Sequence, residues 1–475
     1  MGSKVIASII LVVLIGIVVA PPIAHSYIYP SAGDDTADHL AVFDNLTSFW
    51  NCRYLGLPMA GYVIKTLSQT TGATTDSLFL WFNYLALVGA CIVLFVTLTK
   101  LVNKWAGFFA IPIAVFCTQS ILKLFYCGTI FHIINMYLVL PLAVFFLISW
   151  IQEKKNYQLV LAYGLFLLFS TAHLTSLYLV GTMGLFLAFV ITYKVVANRD
   201  EIDLKRVVPA VSGIMVMNLA SAWATLPEFG QCISGTAARA AGITEQPITP
   251  PSFGNFSMVY VGCITLGILL LALLLVLRER EHLEIRLKTK LFLGFLAALV
   301  IFLAIGAFTR ISPDPVRVAL DLSVTIAILT VCLVGIGLEA TKRKKVMVLA
   351  VYALVAVGMF LSVPHWLSYT SAVRPADIQA IEYLNSQSNS TYSCSTQVAP
   401  WIYNRWLEKE YVADGNEEYV IYRDKPMTAR TNPNQYWYQY KDRAMSQLSD
   451  YDNLTLLREF SDGKVNVYVF KGEPE

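Results

Sequence analysis

Charge is the scarcest commodity in this chain. Only 14% of its 475 residues are Asp, Glu, Lys or Arg, where a soluble globular protein carries roughly 25%. With 56% hydrophobic residues, that shortage excludes a soluble enzyme. It also excludes a disordered chain, which needs low hydrophobicity and high charge. The formal net charge is only +3, and no basic stripe interleaved with aromatics occurs, so nucleic acid is not a partner. Cysteine is thinly scattered, at Cys52, Cys91, Cys117, Cys127, Cys232, Cys263, Cys332 and Cys394, with no Cys-x-x-Cys pair. That spacing excludes a disulfide framework and a zinc site. Most of these cysteines lie in apolar runs, where Cys behaves as a small hydrophobe.

What the chain has instead is long apolar runs, and its mean hydropathy is +0.58. A membrane span needs about 20 mostly apolar residues. Eleven runs meet or approach that length: 5–24, 77–98, 105–120, 134–150, 157–172, 174–193, 207–226, 257–277, 291–307, 319–338 and 346–364. The expected fold is mainly α, a polytopic membrane protein of about 11 helices over residues 1–370. Ala24-His25-Ser26 has the form of a cleavage site. The run from Val5 through Pro21-Pro22 to Ala24 suits an uncleaved anchor better.

Basic residues orient this array. With the N-terminus inside, alternate loops hold 18 of the 24 Lys and Arg before residue 371, and the outer loops hold Arg53, Lys65, Lys123, Arg239, Arg310 and Arg317. That asymmetry predicts a cytoplasmic N-terminus and an extracytoplasmic C-terminal region. The sequons at Asn45, Asn255, Asn389 and Asn453 all fall outside in this topology. The spans are nearly free of ionisable residues; Asp321 reads as the outer edge of the tenth, and His132 and His173 lie near outer ends. Intramembrane charges usually mark ion or substrate paths, so the expectation is against an ion-coupled transporter.

The outer loops carry the polar chemistry. The first, residues 25–76, is too long for a passive connector. It opens with Gly33-Asp34-Asp35-Thr36-Ala37-Asp38-His39, and Leu40, Phe43, Leu46 and Trp50 follow at helical spacing. This predicts a surface helix with its aromatics toward the headgroups. Asp34 or Asp35 would cap it and Asp38 would favour its first turn. Asp35 and His39 also share a face at i, i+4, where a carboxylate serves as general base or holds a divalent cation. Lys123 and His132 flank the next outer segment and face either a site or the interface. Residues 227–256, with Pro247, Pro250 and Pro251, form either a lid or a stiff surface loop. Arg310 and Arg317 bracket Pro313-Asp314-Pro315; guanidinium pairs well with phosphate, and lipid headgroups are the alternative partner.

Beyond residue 370 the composition turns soluble, with 11 basic and 15 acidic residues. Residues 371–475 read as a small α/β domain. Helices are expected from Pro375 and over Val398–Glu408, a strand over Glu418–Arg423, and a hairpin turning at Asp462-Gly463. Trp401, Trp406, Tyr436 and Trp437 are core aromatics or an acceptor-binding surface.

The layout of anchor, acidic first loop, many spans and outer C-terminal domain resembles the GT-C type membrane glycosyltransferases. These include oligosaccharyltransferase catalytic subunits and protein O-mannosyltransferases. The local signature is Gly33-x-Asp35-x-x-x-His39, similar to the first-loop stretch of archaeal oligosaccharyltransferases. The resemblance implies that Asp35 is the catalytic carboxylate, with Asp34, Asp38 and His39 beside it. It implies a sugar donor on a polyprenyl phosphate or diphosphate, and it admits a divalent cation, magnesium or manganese. No Trp-Trp-Asp-Tyr-Gly stretch occurs in the C-terminal domain and no second acidic pair at 119–133, so a monosaccharide transferase fits better than an oligosaccharyltransferase. The partners would be the lipid-linked donor, membrane lipids and an acceptor of unspecified class. The competing readings are a lipid-linked glycan flippase or transporter, and a degenerate transferase acting as scaffold.

Overall fold

The computed structural model describes residues 3–25, 39–40, 43, 56–126, 129–172, 176–197, 201–225, 266–273, 276–277, 285–308, 315–340, 345–368, 373–387, 391–394, 407, 410–411, 418–424, 455–463 and 465–471. The described residues are mainly α-helical, with one small sheet among them. The helices are α1 (Ser3–Ala24), α2 (Gly56–Thr71), α3 (Thr75–Leu101), α4 (Lys104–Ile111), α5 (Ser120–Tyr126), α6 (Ile130–Ile133), α7 (Leu140–Glu153), α8 (Asn156–Ala172), α9 (Ser176–Ala197), α10 (Leu204–Thr225), α11 (Leu287–Phe308), α12 (Pro315–Ala340) and α13 (Lys345–Leu367). Two π-helical turns, Pro112–Cys117 and Ile134–Val139, are wound into this series.

Among the described residues, five helices are long and apolar enough to cross a membrane: Thr75–Leu101, Ile130–Glu153, Tyr178–Ala197, Leu287–Ala307 and Val318–Glu339. Shorter apolar helices cover Ser8–Ala24, Lys104–Cys117 and Leu349–Pro364. Their outward faces stay apolar: Val12, Leu85, Val195 and Phe360 are each more than 60% exposed. Aliphatic side chains at such exposure are stable against lipid tails and unfavourable against water.

Packing between these helices uses glycine to admit rings. A Cβ on Gly294 of α11 would run into the Phe189 ring of α9, and one on Gly181 of α9 would run into Phe302 of α11. Each helix thus seats a phenylalanine of the other, the close approach that small residues allow inside a membrane. At the opposite end of α3, the Asn103 side chain caps α4 by accepting from Trp105 and Ala106 N–H. Its amide donates to Gly335 O (2.9 Å) and Glu339 Oε2 (2.7 Å). One asparagine therefore ties the α3–α4 corner to α12.

The C-terminal part forms a helix on a mixed sheet. Helix α14 (Pro375–Asn385) lies against strands ordered β2 (Glu410–Tyr411), β1 (Thr391–Cys394), β3 (Tyr419–Arg423), β5 (Asn466–Lys471), β4 (Thr455–Ser461). Pro375 stands at its first turn, where the missing N–H costs nothing. Asp377 accepts the Arg374 N–H at 2.7 Å, closing that turn as a capping carboxylate does. The expected hairpin is present as β4–β5. Gly463 holds φ +77° in its turn, a conformation that glycine adopts without strain. Val465, Val467 and Val469 are buried and Asn466, Tyr468 and Phe470 are not fully so, the period-two pattern of one covered face. The expected helix over Val398–Glu408 falls outside the described residues apart from Leu407, as do Trp401, Trp406, Tyr436 and Trp437.

Candidate functional site

Two histidines on neighbouring elements define the polar centre of the bundle. His39, the last residue of the first-loop motif, is 3% exposed. Its ring meets Phe131 edge-on at 4.9 Å and Phe79 at 6.0 Å. Burial pushes its pKa down from 6.5 to about 3, because an imidazolium would lose its hydration among phenyl rings. The imidazole is therefore neutral across the physiological range. Leu40 and Phe43, expected to face headgroups, are buried instead, with Phe43 against Phe79 at 5.0 Å. The first loop thus inserts apolar side chains into the bundle, since burial against protein hides them as well as lipid would.

One residue after Phe131, His132 turns to the other side of α6. Its Nε2 lies 2.8 Å from Asp321 Oδ1. Tyr137 Oη donates to the same oxygen at 2.5 Å. The side chains of His132 and Asp321 are both wholly buried, and Tyr137 is 2% exposed. Asp321 Oδ2 has no hydrogen-bond partner among the described residues. Thr325 Oγ1 donates to the Asp321 backbone carbonyl at 2.7 Å.

The local winding explains the convergence. In an α-helix of 3.6 residues per turn, residues five apart point about 140° away from each other. Ile134–Val139 is wound as a π-helix, whose i→i+5 register brings such residues toward one face. Pro141 follows; having no N–H, it cannot complete an α turn onto the Tyr137 carbonyl. So His132 and Tyr137 reach one carboxylate from one side. From the same stretch, Asn135 Nδ2 crosses to α8 and donates to Phe169 O at 2.9 Å.

This cluster corrects the expectation that the spans lack polar chemistry. Asp321 lies near the start of the span Val318–Glu339, and its side chain is buried in the bundle with partners on a separate helix. A buried carboxylate is stable only with donors, which supplies the reason for His132 and Tyr137. Tyr137 and Thr325 also line a cavity of ≈ 40 Å³, with Leu94, Thr97, Leu140 and Phe295 among its other walls. Its lining is apolar except for three hydroxyls. Two of them already bond to Asp321; Thr97 Oγ1 has no partner among the described residues.

Of the residues singled out in the sequence, His39 and His132 are placed by the structure, on either side of α6. Asp34, Asp35, Asp38 and Arg310 lie outside the described residues, as do the side chains of Lys123 and Arg317. Among the described residues, no group of three or more His, Cys, Asp or Glu converges that could hold a metal ion. Asp321 and Tyr137 were not expected. The available signal was Asp321 itself, the sole ionisable residue in the run 319–338. The chain matches no family model and no curated relative.

Proposed function

We propose that the protein is a multi-pass membrane transferase. It moves a sugar from a polyprenyl-(di)phosphate-linked donor to an acceptor on the outer face. The eleven-span topology, with the N-terminus inside and residues 371–475 outside, belongs to this proposal and rests on the basic-residue asymmetry. In the reaction, Asp35 removes the acceptor hydroxyl proton as the acceptor oxygen bonds to the anomeric carbon. The bond to phosphate breaks, and the leaving phosphate goes to a basic partner, for which Arg310, Arg317 and Lys123 are the candidates. No step is routed through a metal.

The observation that carries this reading is the seat of His39. The motif residue four positions after Asp35 is buried between Phe79 of α3 and Phe131 of α6, so the motif ends docked on the bundle. A lipid-linked donor requires that juxtaposition, because its tail stays among helices while its head meets the loop. The test is transfer from a panel of polyprenyl-phosphate sugars by the protein in nanodiscs. Asp35→Asn keeps capping ability and should cut transfer by roughly 10² or more. If wild type consumes none of the panel, or Asp35→Asn retains full transfer, the reading fails.

A flippase is the second reading, favoured by the buried Asp321–His132 pair, since buried ionisable groups inside spans mark transport paths. It predicts that the lipid-linked sugar changes leaflet with its glycosyl bond intact.

A further inference from the structure

We infer that Asp321, acting through His132, is a positioning residue for the first-loop segment that ends in His39. The inference rests on the transferase reading only for its kinetic consequence; the mechanical coupling stands on geometry alone.

Ile130–Ile133 is the first turn of the continuous helix Ile130–Glu153. The end turn of a helix frays most easily, because its N–H groups have no intrahelical partner. Tertiary contacts therefore help to hold it. On its N-terminal side, Thr129 anchors to Leu124 O through its hydroxyl (2.8 Å) and its N–H (3.2 Å). On one face, His132 is held by Asp321 at 2.8 Å, and Tyr137 shares that oxygen. Successive helical residues diverge by about 100°, so Phe131 faces elsewhere. It meets His39 edge-on at 4.9 Å and Phe82 at 6.1 Å.

The turn therefore works as a lever with two arms. The polar arm is clamped by a buried carboxylate on α12, and the aromatic arm supports the first loop. Losing the clamp lets this end turn fray, and fraying loosens the Phe131 edge from the imidazole of His39. Among the described residues, the hydrogen bonds of Asp321 run to His132, Tyr137 and, through its backbone, Thr325.

Hydrogen exchange on the full chain in nanodiscs tests this. Asp321→Leu removes both acceptor oxygens and suits a membrane interior. It should speed exchange at the amides of His39, Leu40 and Phe43 by about tenfold, the scale of a lost hydrogen bond to a charged group. Asp321→Asn retains an acceptor oxygen for Tyr137 and His132 and should restore much of the protection. Phe131→Leu should raise exchange at the same amides while leaving Asp321 intact. The double variant Asp321→Leu/Phe131→Leu should be no worse than either single one, because both cut one path. Amides of α11 should be unchanged throughout. Should Asp321→Leu not fold, the cycle of His132→Leu with Phe131→Leu decides. Unchanged exchange at 39–43 in Asp321→Leu or in that substitute, or additive effects in the double variant, overturns the inference. In the transfer assay, the same Asp321 variants should lower kcat with little change in donor KM. Absence of transfer by wild type would sink the transferase reading and leave the exchange cycle to judge the coupling.

Discussion

Acidification should destabilise the protein through His39. The imidazole is 3% exposed among phenyl rings, and its pKa falls from 6.5 to about 3. A base with a depressed pKa binds fewer protons folded than unfolded. Its neutral burial therefore costs nothing above pH 6.5 and progressively more as pH falls from 6.5 toward 3. In that window the loss is about 1.4 kcal/mol per pH unit. Between pH 7.5 and pH 5 it integrates to about 2 kcal/mol. Other groups titrate over the same range, so the measurement must isolate His39. His39→Phe keeps an aromatic ring in the nest formed by Phe79 and Phe131 and removes the titration. Unfolding in detergent, followed for wild type and variant at several pH values, should give stability curves that diverge by about that amount. The variant should hold its stability better at low pH. A difference curve flat from pH 7.5 to 5 would refute the reasoning. So would an imidazole NMR titration with a midpoint near 6.5, which would mean that water reaches the ring.

Two further outcomes follow from packing. Between α14 and β3, Arg423 Nε lies 3.1 Å from Asp377 Oδ1, with the two side chains 2% and 0% exposed. Asp377→Ala should lower stability by about 3–5 kcal/mol, and Asp377→Leu with Arg423→Met by much less, because one buried charge alone is worse than none; equal losses in thermal denaturation would contradict this. Gly294→Leu forces a side chain into the Phe189 ring and should cost about 1–3 kcal/mol, whereas Gly164→Ala, with open space at its Cβ, should be nearly silent in the same melt.

Much of the architecture was legible without coordinates, and the legible parts share a cause: they depend on composition over short windows. Helices occur where apolar runs were long. The hairpin at Asp462-Gly463 follows from a turn that glycine permits and from alternation over Val465, Val467 and Val469. The start of α14 follows from Pro375 at its first turn and from Asp377, which accepts the Arg374 N–H three residues back. These are interactions between near neighbours, so the chain's order states them.

The polar centre was not legible, because it depends on distance through space. Asp321 and His132 are 189 positions apart, and alone each reads as an edge residue of its own run. A helical wheel sends His132 and Tyr137 to different faces; the π turn before Pro141 brings them to one. The first-loop apolar stripe shows the same limit. Its spacing told of a helix with one greasy face, and lipid and protein are equally apolar covers for such a face. Sequence by itself determined that this chain is built of membrane-length helices with a small α/β tail. Only tertiary structure decided that Leu40 and Phe43 turn inward and that a buried carboxylate holds His132, next in sequence to the Phe131 that meets His39. Periodicity records which side chains share a face, and packing alone chooses what that face meets.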